Sequence, residues 1–364
     1  MQIFKLDYSS KRIFGLDVLR TMAILFVLLS HSLHYLPSTF STLLEPIMID
    51  GVAIFFVLSG FLIGGIMLKV FKNNITKSLI LEFWIRRWFR TLPLYLIILS
   101  ILTLLDIIIY NRDINYFRYF LFLQNCTIAM QDFFPESWSL AVEEWFYISF
   151  PILFLIISKL FIKNKLKTRF LTTICSVIIL VSIFRCYKYF NLETKSYYFY
   201  DRYFLREVIS RLDAIVYGVL MAWIKQYYPE LWVKSKKLNF ALFCIGILLL
   251  FGVHNLENRS DLVLYIASFT LTSIAVSLMI PFFDGWSNCN NKPIFKIVTT
   301  ISITSYSLYL INLSVVSYWI LDKLLLDQTI KFILFWVISI SLSILLYKYI
   351  ELPLTSIRER YSNK

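Results

Sequence analysis

Stretches of about 20 apolar residues recur along the whole chain, and nothing else in the sequence limits the fold as strongly. A helix of that length rises about 30 Å, which is the thickness of a bilayer's hydrocarbon core. Ten such spans can be read: 16–36, 46–70, 91–110, 138–162, 168–187, 207–226, 238–254, 262–283, 297–320 and 329–350. A membrane barrel would show shorter alternating segments instead. Composition closes off the other classes. Of 364 residues, 59% are hydrophobic and 16% charged, against roughly 25% charged in a soluble domain. A soluble enzyme of this length has no means of hiding so much apolar surface, and disordered chains are polar. With 9 Gly and 9 Pro the chain is not fibrous or low in complexity. The expected fold is all-α: a polytopic membrane helical bundle of about ten transmembrane helices, one integral membrane domain over residues 1–364, with membrane lipids around it.

The net charge of +13 would suggest a nucleic-acid partner in a soluble protein. No basic run here carries a recognisable nucleic-acid module, so none is expected. Lys and Arg instead follow the positive-inside pattern. With the N-terminus in the cytoplasm, 24 basic residues fall in inner segments, among them Lys5, Lys72, Lys163, Lys234 and Arg358, and 10 in outer ones, among them Arg112, Arg185, Arg202 and Arg259. Arg20 and Arg211 lie within spans. The count predicts an N-in, C-in topology. The five cysteines form no C-x-x-C pair, which argues against a disulfide framework or zinc site, and no metal-ligand cluster is expected. The first apolar run is too long for a cleavable signal peptide and is interrupted by Arg20 and His31.

Ionisable side chains inside a bilayer cost several kcal/mol unless paired or hydrated, so each is a functional candidate. Arg20 and His31 are eleven residues apart, about 20° past three full turns, which puts both on one face of a helix about 16 Å apart. His31 falls about 22 Å beyond Leu16, in the outer half of the span. Glu143 and Glu144 begin the fourth span at a similar depth, just inside Trp138. A helix N-terminus favours acidic side chains and accounts for one of them. Arg86, Arg87 and Arg90 close an amphipathic segment, 71–90, ahead of Pro93. They read as a topology signal or as a phosphate cradle, since guanidinium forks match phosphate oxygens. Asp50, Ser59, Arg211, Asp213, Tyr309 and Asn312 are further buried polar candidates. Arg211 and Asp213 are two apart and do not face each other on one helix, so each is expected to pair with another span.

Gly15-Leu16-Asp17-Val18-Leu19-Arg20 with His31, Phe55-Phe56-Val57-Leu58-Ser59-Gly60-Phe61-Leu62, Arg86-Arg87-Trp88-Phe89-Arg90, Trp138-Ser139-Leu140-Ala141-Val142-Glu143-Glu144-Trp145-Phe146-Tyr147, Arg211-Leu212-Asp213-Ala214, Tyr306-Ser307-Leu308-Tyr309-Leu310 and Glu351-Leu352-Pro353 follow one another in this order. Together they resemble the membrane acyltransferase 3 family over nearly the whole chain. The family often has a His after the Tyr309-Leu310 pair, and this chain has Asn312 there, so a second catalytic histidine is not assumed. Some members carry an extra extracytoplasmic esterase-like domain, for which the 364 residues are expected to leave no room.

The resemblance implies transfer of an acyl group, with acetyl as the default and succinyl as the other option, from cytoplasmic acyl-CoA to a hydroxyl of a cell-surface glycan or lipid-linked sugar. It also implies a bacterial inner (plasma) membrane. Acyl-CoA enters as donor substrate, and no cofactor beyond it is implied. Histidine suits the role of base for a hydroxyl nucleophile. On this reading His31, Glu143 and Arg20 are catalytic, with Glu143 orienting the imidazole. Arg86, Arg87 and Arg90 hold the CoA phosphates, and the pantetheine arm runs past Arg20 to His31. His31 fits two roles, acylated nucleophile or general base. Ser59, Glu144, Arg211, Asp213, Tyr309 and Asn312 complete the candidate pocket. Two other classes share the composition: a transporter or exporter of a polysaccharide intermediate, and a structural subunit of a glycan-synthesis complex. A repeated pair of halves with broken spans, which would favour a transporter, is not evident.

Overall fold

The structure, a computed structural model, describes residues 12–44, 48–71, 76–126, 129–161, 165–233, 236–257 and 260–356. Lys5, Lys72, Lys163, Lys234, Arg259 and Arg358 of the charge count lie outside them. The described residues are helical throughout the apolar stretches. The order is α1 (Phe14–Ser32), α2 (Ser38–Leu44), α3 (Gly51–Val70), α4 (Lys77–Ile109), α5 (Tyr116–Phe120), α6 (Ser137–Leu160), α7 (Leu166–Phe190) and α8 (Tyr197–Tyr200). It continues with α9 (Val208–Tyr227), α10 (Pro229–Val233), α11 (Lys236–Glu257), α12 (Ser268–Asp284), α13 (Lys292–Ile311) and α14 (Gln328–Leu346). A π-helical segment, Asn312–Ile320, prolongs α13, and a π-helical turn, Tyr347–Glu351, prolongs α14.

Among the described residues nine helices are long and apolar enough to cross a membrane. The expected span at 207–226 is present as α9 but does not join that set. Every window of 18 residues in it carries Arg211, Asp213 and Lys225. Burial explains how it tolerates them: α9 packs against α3 in the most extensive helix pair among the described residues. Small residues allow that approach. A Cβ on Gly60 would stand 1.8 Å from the Ile215 carbonyl oxygen, and one on Gly218 would stand 1.9 Å from that of Val57. Gly60 with Gly64, and Gly218 with Ala222, form the small-x-x-x-small ridges by which membrane helices pack backbone to backbone.

Caps and breakers fix the helix ends. Asp50 accepts from Val52 N at 2.9 Å and Ala53 N at 3.0 Å, so α3 starts at Gly51, five residues later than the apolar run. The segment expected at 71–90 and the span at 91–110 merge into one 33-residue helix, α4. No glycine interrupts it and Pro93 is accommodated inside it. At about 50 Å it exceeds the hydrocarbon thickness, so the arginines occupy successive turns of a continuous helix rather than the end of a separate surface segment.

Candidate active site

A cavity of about 840 Å³ opens between α1, α3, α4, α6 and α13. Its size is within the range of small-molecule sites. Its polar lining includes Arg20, Ser59, Arg86, Arg87, Arg90, Glu143 and Tyr309, so seven of the sequence candidates from five helices meet in one space. Phe55 and Tyr309 meet edge to face across it, with ring centroids 6.3 Å apart.

The three arginines of α4 are not equivalent. Arg86 pairs with Glu82 one turn earlier on an exposed face. Arg87 donates to Glu143 Oε2 at 2.9 Å and to the Tyr147 hydroxyl, with its guanidinium 4.4 Å over the Tyr147 ring. Tyr147 in turn donates to Glu143 Oε2 at 2.7 Å and lies 2.8 Å from Ser59 Oγ. Arg90 and Arg20 both face the cavity, and neither makes a hydrogen bond or ion pair with another described residue. Two guanidiniums, Arg20 half-buried and Arg90 exposed, are thus directed into one cavity without a carboxylate bonded to either. Glu351, whose Oε2 accepts from Ser307 Oγ at 2.7 Å, lies within electrostatic range of both.

His31 lies in the last turn of α1, on the Arg20 face but not among the cavity-lining residues. Its Nδ1 is 2.6 Å from Asn312 Oδ1. The Asn312 amide is itself fixed: Nδ2 donates to the carbonyls of Leu308 at 3.0 Å and Tyr309 at 2.8 Å. The oxygen must therefore face His31, so Nδ1 carries the proton and Nε2 keeps the lone pair. This differs from the expected pairing. Glu143 does not orient the imidazole; its oxygens serve Arg87 and Tyr147, and Asn312 takes that place. Spacing along two helices gives each residue's face but not which neighbour it meets. His34 is exposed and lies against Tyr35 in a tilted contact, with centroids 3.9 Å apart.

Glu144 is buried and outside the cavity lining, accepting from Thr91 Oγ1 at 2.9 Å and Trp88 Nε1 at 3.0 Å. It ties α6 to α4. Arg211 and Asp213 pair with different segments, as their spacing requires. Arg211 meets Asp50 Oδ2 at 3.0 Å and lies over Phe269, and Asp213 pairs with Arg185. Neither lines the cavity, and each ties two segments together. Arg185, counted as an outer charge in the sequence, is fully buried in that pair. Sequence reasoning also passed over Glu136. Just ahead of α6, it is buried and accepts from Ser314 N at 2.9 Å and Ser314 Oγ at 2.6 Å. Burial pushes its carboxyl up to about 7, against the opposing hydrogen bonds from Ser314 and the charge of Arg206. The buried Glu at the foot of a Trp-Ser-Leu run was the available signal.

A bundle of helices long and apolar enough to cross a membrane, with paired and unpaired cations around one cavity, defines a multi-pass membrane protein. The family model described as "Acyltransferase domain" matches residues 13–348, and the chain belongs to this acyltransferase 3 family. Among curated relatives, "Putative O-acetyltransferase SACOL0978" of Staphylococcus aureus strain COL is 30% identical over 380 residues, which cover 93% of this chain and 56% of the relative. "O-acetyltransferase OatA" of Staphylococcus aureus strain NCTC 8325 / PS 47 is 26% identical over 375 residues, covering 95% of this chain and 58% of the relative. The chain thus spans a little over half the length of these relatives. No solved structure matches it.

Proposed function

We propose that this chain is a membrane O-acetyltransferase that takes an acetyl group from cytoplasmic acetyl-CoA and passes it to a hydroxyl of a cell-surface glycan or lipid-linked sugar, in a bacterial inner membrane. The observation that carries this is the pair of unpartnered guanidiniums, Arg20 and Arg90, in a cavity on the same face of α1 as His31. Guanidinium forks match phosphate oxygens, and the N-in charge bias supports a cytoplasmic position for this end of the bundle. Arg90 and Arg20 hold the CoA phosphates. Arg87, already engaged by Glu143, shapes the wall.

The thioester arm extends past Tyr309 and Phe55 toward His31. His31 Nε2 removes the proton from the acceptor hydroxyl. The oxygen adds to the thioester carbonyl, the C–S bond breaks, and the proton passes from the imidazole to the departing CoA sulfur. Asn312 keeps Nε2 unprotonated between turnovers.

Purified protein in lipid nanodiscs tests this by release of CoA from acetyl-CoA with and without glycan acceptor. Arg90→Ala should raise the KM for acetyl-CoA far more than that for the acceptor, and Arg90→Lys should rescue only in part, because it lacks the fork. Donor-independent binding of a glycan with no CoA release would point to export instead.

A further inference from the structure

A second, smaller cavity, about 310 Å³, lies at the end of the bundle remote from the arginines. Along α4 the distance from Arg87 to Ile109 is about 33 Å, and Tyr110, the next residue, forms one wall. Its other walls are Arg112 and Asp132 from the connection between α4 and α6, and Tyr318, Trp319 and Lys323 from the segment after α13. We infer that this cleft binds a pyranose ring of the acceptor saccharide; this rests on the proposed glycan O-acyltransferase function.

Three observations carry the inference. First, the cleft has an aromatic wall: Tyr110 and Trp319 meet in a tilted contact, with centroids 5.5 Å apart and planes at 54°, and Tyr318 stands beside them. The C–H face of a pyranose is the apolar surface that complements the negative face of an indole. Secondly, the cleft offers fixed donors and an acceptor together. Arg112 is held by buried Asp106 and donates to the Asp132 carbonyl at 3.1 Å. Lys323 donates to the Tyr110 hydroxyl, its Nζ 4.9 Å over that ring. The Asp132 carboxylate is oriented by Arg202. Sugar hydroxyls both donate and accept, so such a mixed set suits them. An aromatic girdle at the membrane interface would account for Tyr and Trp alone, but not for two ordered ion pairs beside them.

Thirdly, the cleft is coupled to His31. Asn312, which holds His31, begins the π-helical segment that carries Tyr318 and Trp319. The seven residue steps from Asn312 to Trp319 span at most about 10 Å at the α-helical rise. Tyr35, one turn beyond His31, is 2.7 Å from Ser317 Oγ and donates to Asp322 Oδ1 at 2.7 Å. A ring seated against Trp319 is therefore registered against the same structural unit as the imidazole.

Saturation-transfer difference NMR on nanodisc-embedded protein, with methyl pyranosides of hexose and N-acetylhexosamine and their short oligosaccharides, reads binding without requiring turnover. Ring C–H protons should show the strongest transfer to wild type. Trp319→Ala and, separately, the exposed Lys323→Ala should weaken binding about tenfold, as loss of an aromatic or charged anchor does, while Arg90→Ala leaves it unchanged. In turnover assays Trp319→Ala should raise the KM for the saccharide and leave that for acetyl-CoA unaltered. Absence of transfer to wild type, undiminished transfer to both cleft variants, or a rise in the acetyl-CoA KM instead would overturn the assignment. Ring binding that is lost in the variants, with no CoA release by wild type, would uphold the cleft and sink the transferase reading.

Discussion

Asn312 provides the sharpest test of the proposed chemistry. Its amide donates twice to backbone carbonyls of α13, which leaves its oxygen 2.6 Å from His31 Nδ1. Asn312→Ala removes that acceptor and leaves an imidazole N–H in a half-buried site without a partner. An unsatisfied donor costs about 1–3 kcal/mol, and this is the energy by which the productive tautomer is now favoured. At about 1.36 kcal/mol per tenfold, kcat should fall between about 5-fold and about 150-fold. His31→Ala, which removes the base itself, should cost about 10²–10⁴-fold, so the two losses are ordered. Asn312→Asp keeps an acceptor at Nδ1 and should retain more activity than Ala. The assay is CoA release under saturating acetyl-CoA and acceptor, with the melting temperature in nanodiscs as the control for folding. An Asn312→Ala protein that inserts, keeps its melting temperature and turns over like wild type refutes the tautomer argument, and with it the role of Nε2.

Three other expectations follow from the same contacts. Glu143→Ala should destabilise by about 3–5 kcal/mol, because it strands Arg87 in a half-buried site; thermal unfolding reads this, and Arg87→Met combined with Glu143→Met should recover much of it. Unchanged stability with lost activity would return Glu143 to the imidazole. Gly60→Leu should abolish assembly of α3 on α9, since even a Cβ there meets the Ile215 carbonyl at 1.8 Å; monodisperse protein of that variant would contradict the packing. Glu136 gives a pH dependence. With its carboxyl raised to about 7 from about 4.3 in the unfolded chain, the native state holds a proton that the unfolded chain has released between those values. The stability contribution is full below about pH 4 and is lost as pH rises through about 7. The melting temperature of wild type should fall over that interval, and Glu136→Gln should flatten the fall.

The apolar lengths disclosed most of the fold, because a bilayer imposes both helix length and backbone pairing within each helix. The charged α9 was legible for the same reason, as a stretch of sufficient length. Its position against α3 was not, since Gly60 and Gly218 reveal their use only when the two helices are brought together. The shared face of Arg20 and His31 follows from helical periodicity. Periodicity stops at the surface of α1, however, and so it did not foresee that Arg20 turns to the cavity while His31 turns to Asn312. Glu143 shows the same limit: its depth was readable and its partner was not. The arginine run read as three equal donors, whereas Glu82 and Glu143 engage two of them and leave Arg90.

The buried pair between Arg185 and Asp213 has a consequence for how the protein is made. Arg185 stands five residues from the end of α7 and Asp213 five residues from the start of α9, so the two charges lie at matching depths. As each helix leaves the translocon alone, its charge carries an insertion penalty of up to about 2.5–3.5 kcal/mol at the helix centre and less toward the ends. The pairing offsets both penalties only after α9 has been synthesised. Pairing of the Arg185 charge therefore waits until the ribosome has added the connection and the first turns of α9. A nascent chain truncated ahead of Asp213 would hold α7 less firmly than one that includes it.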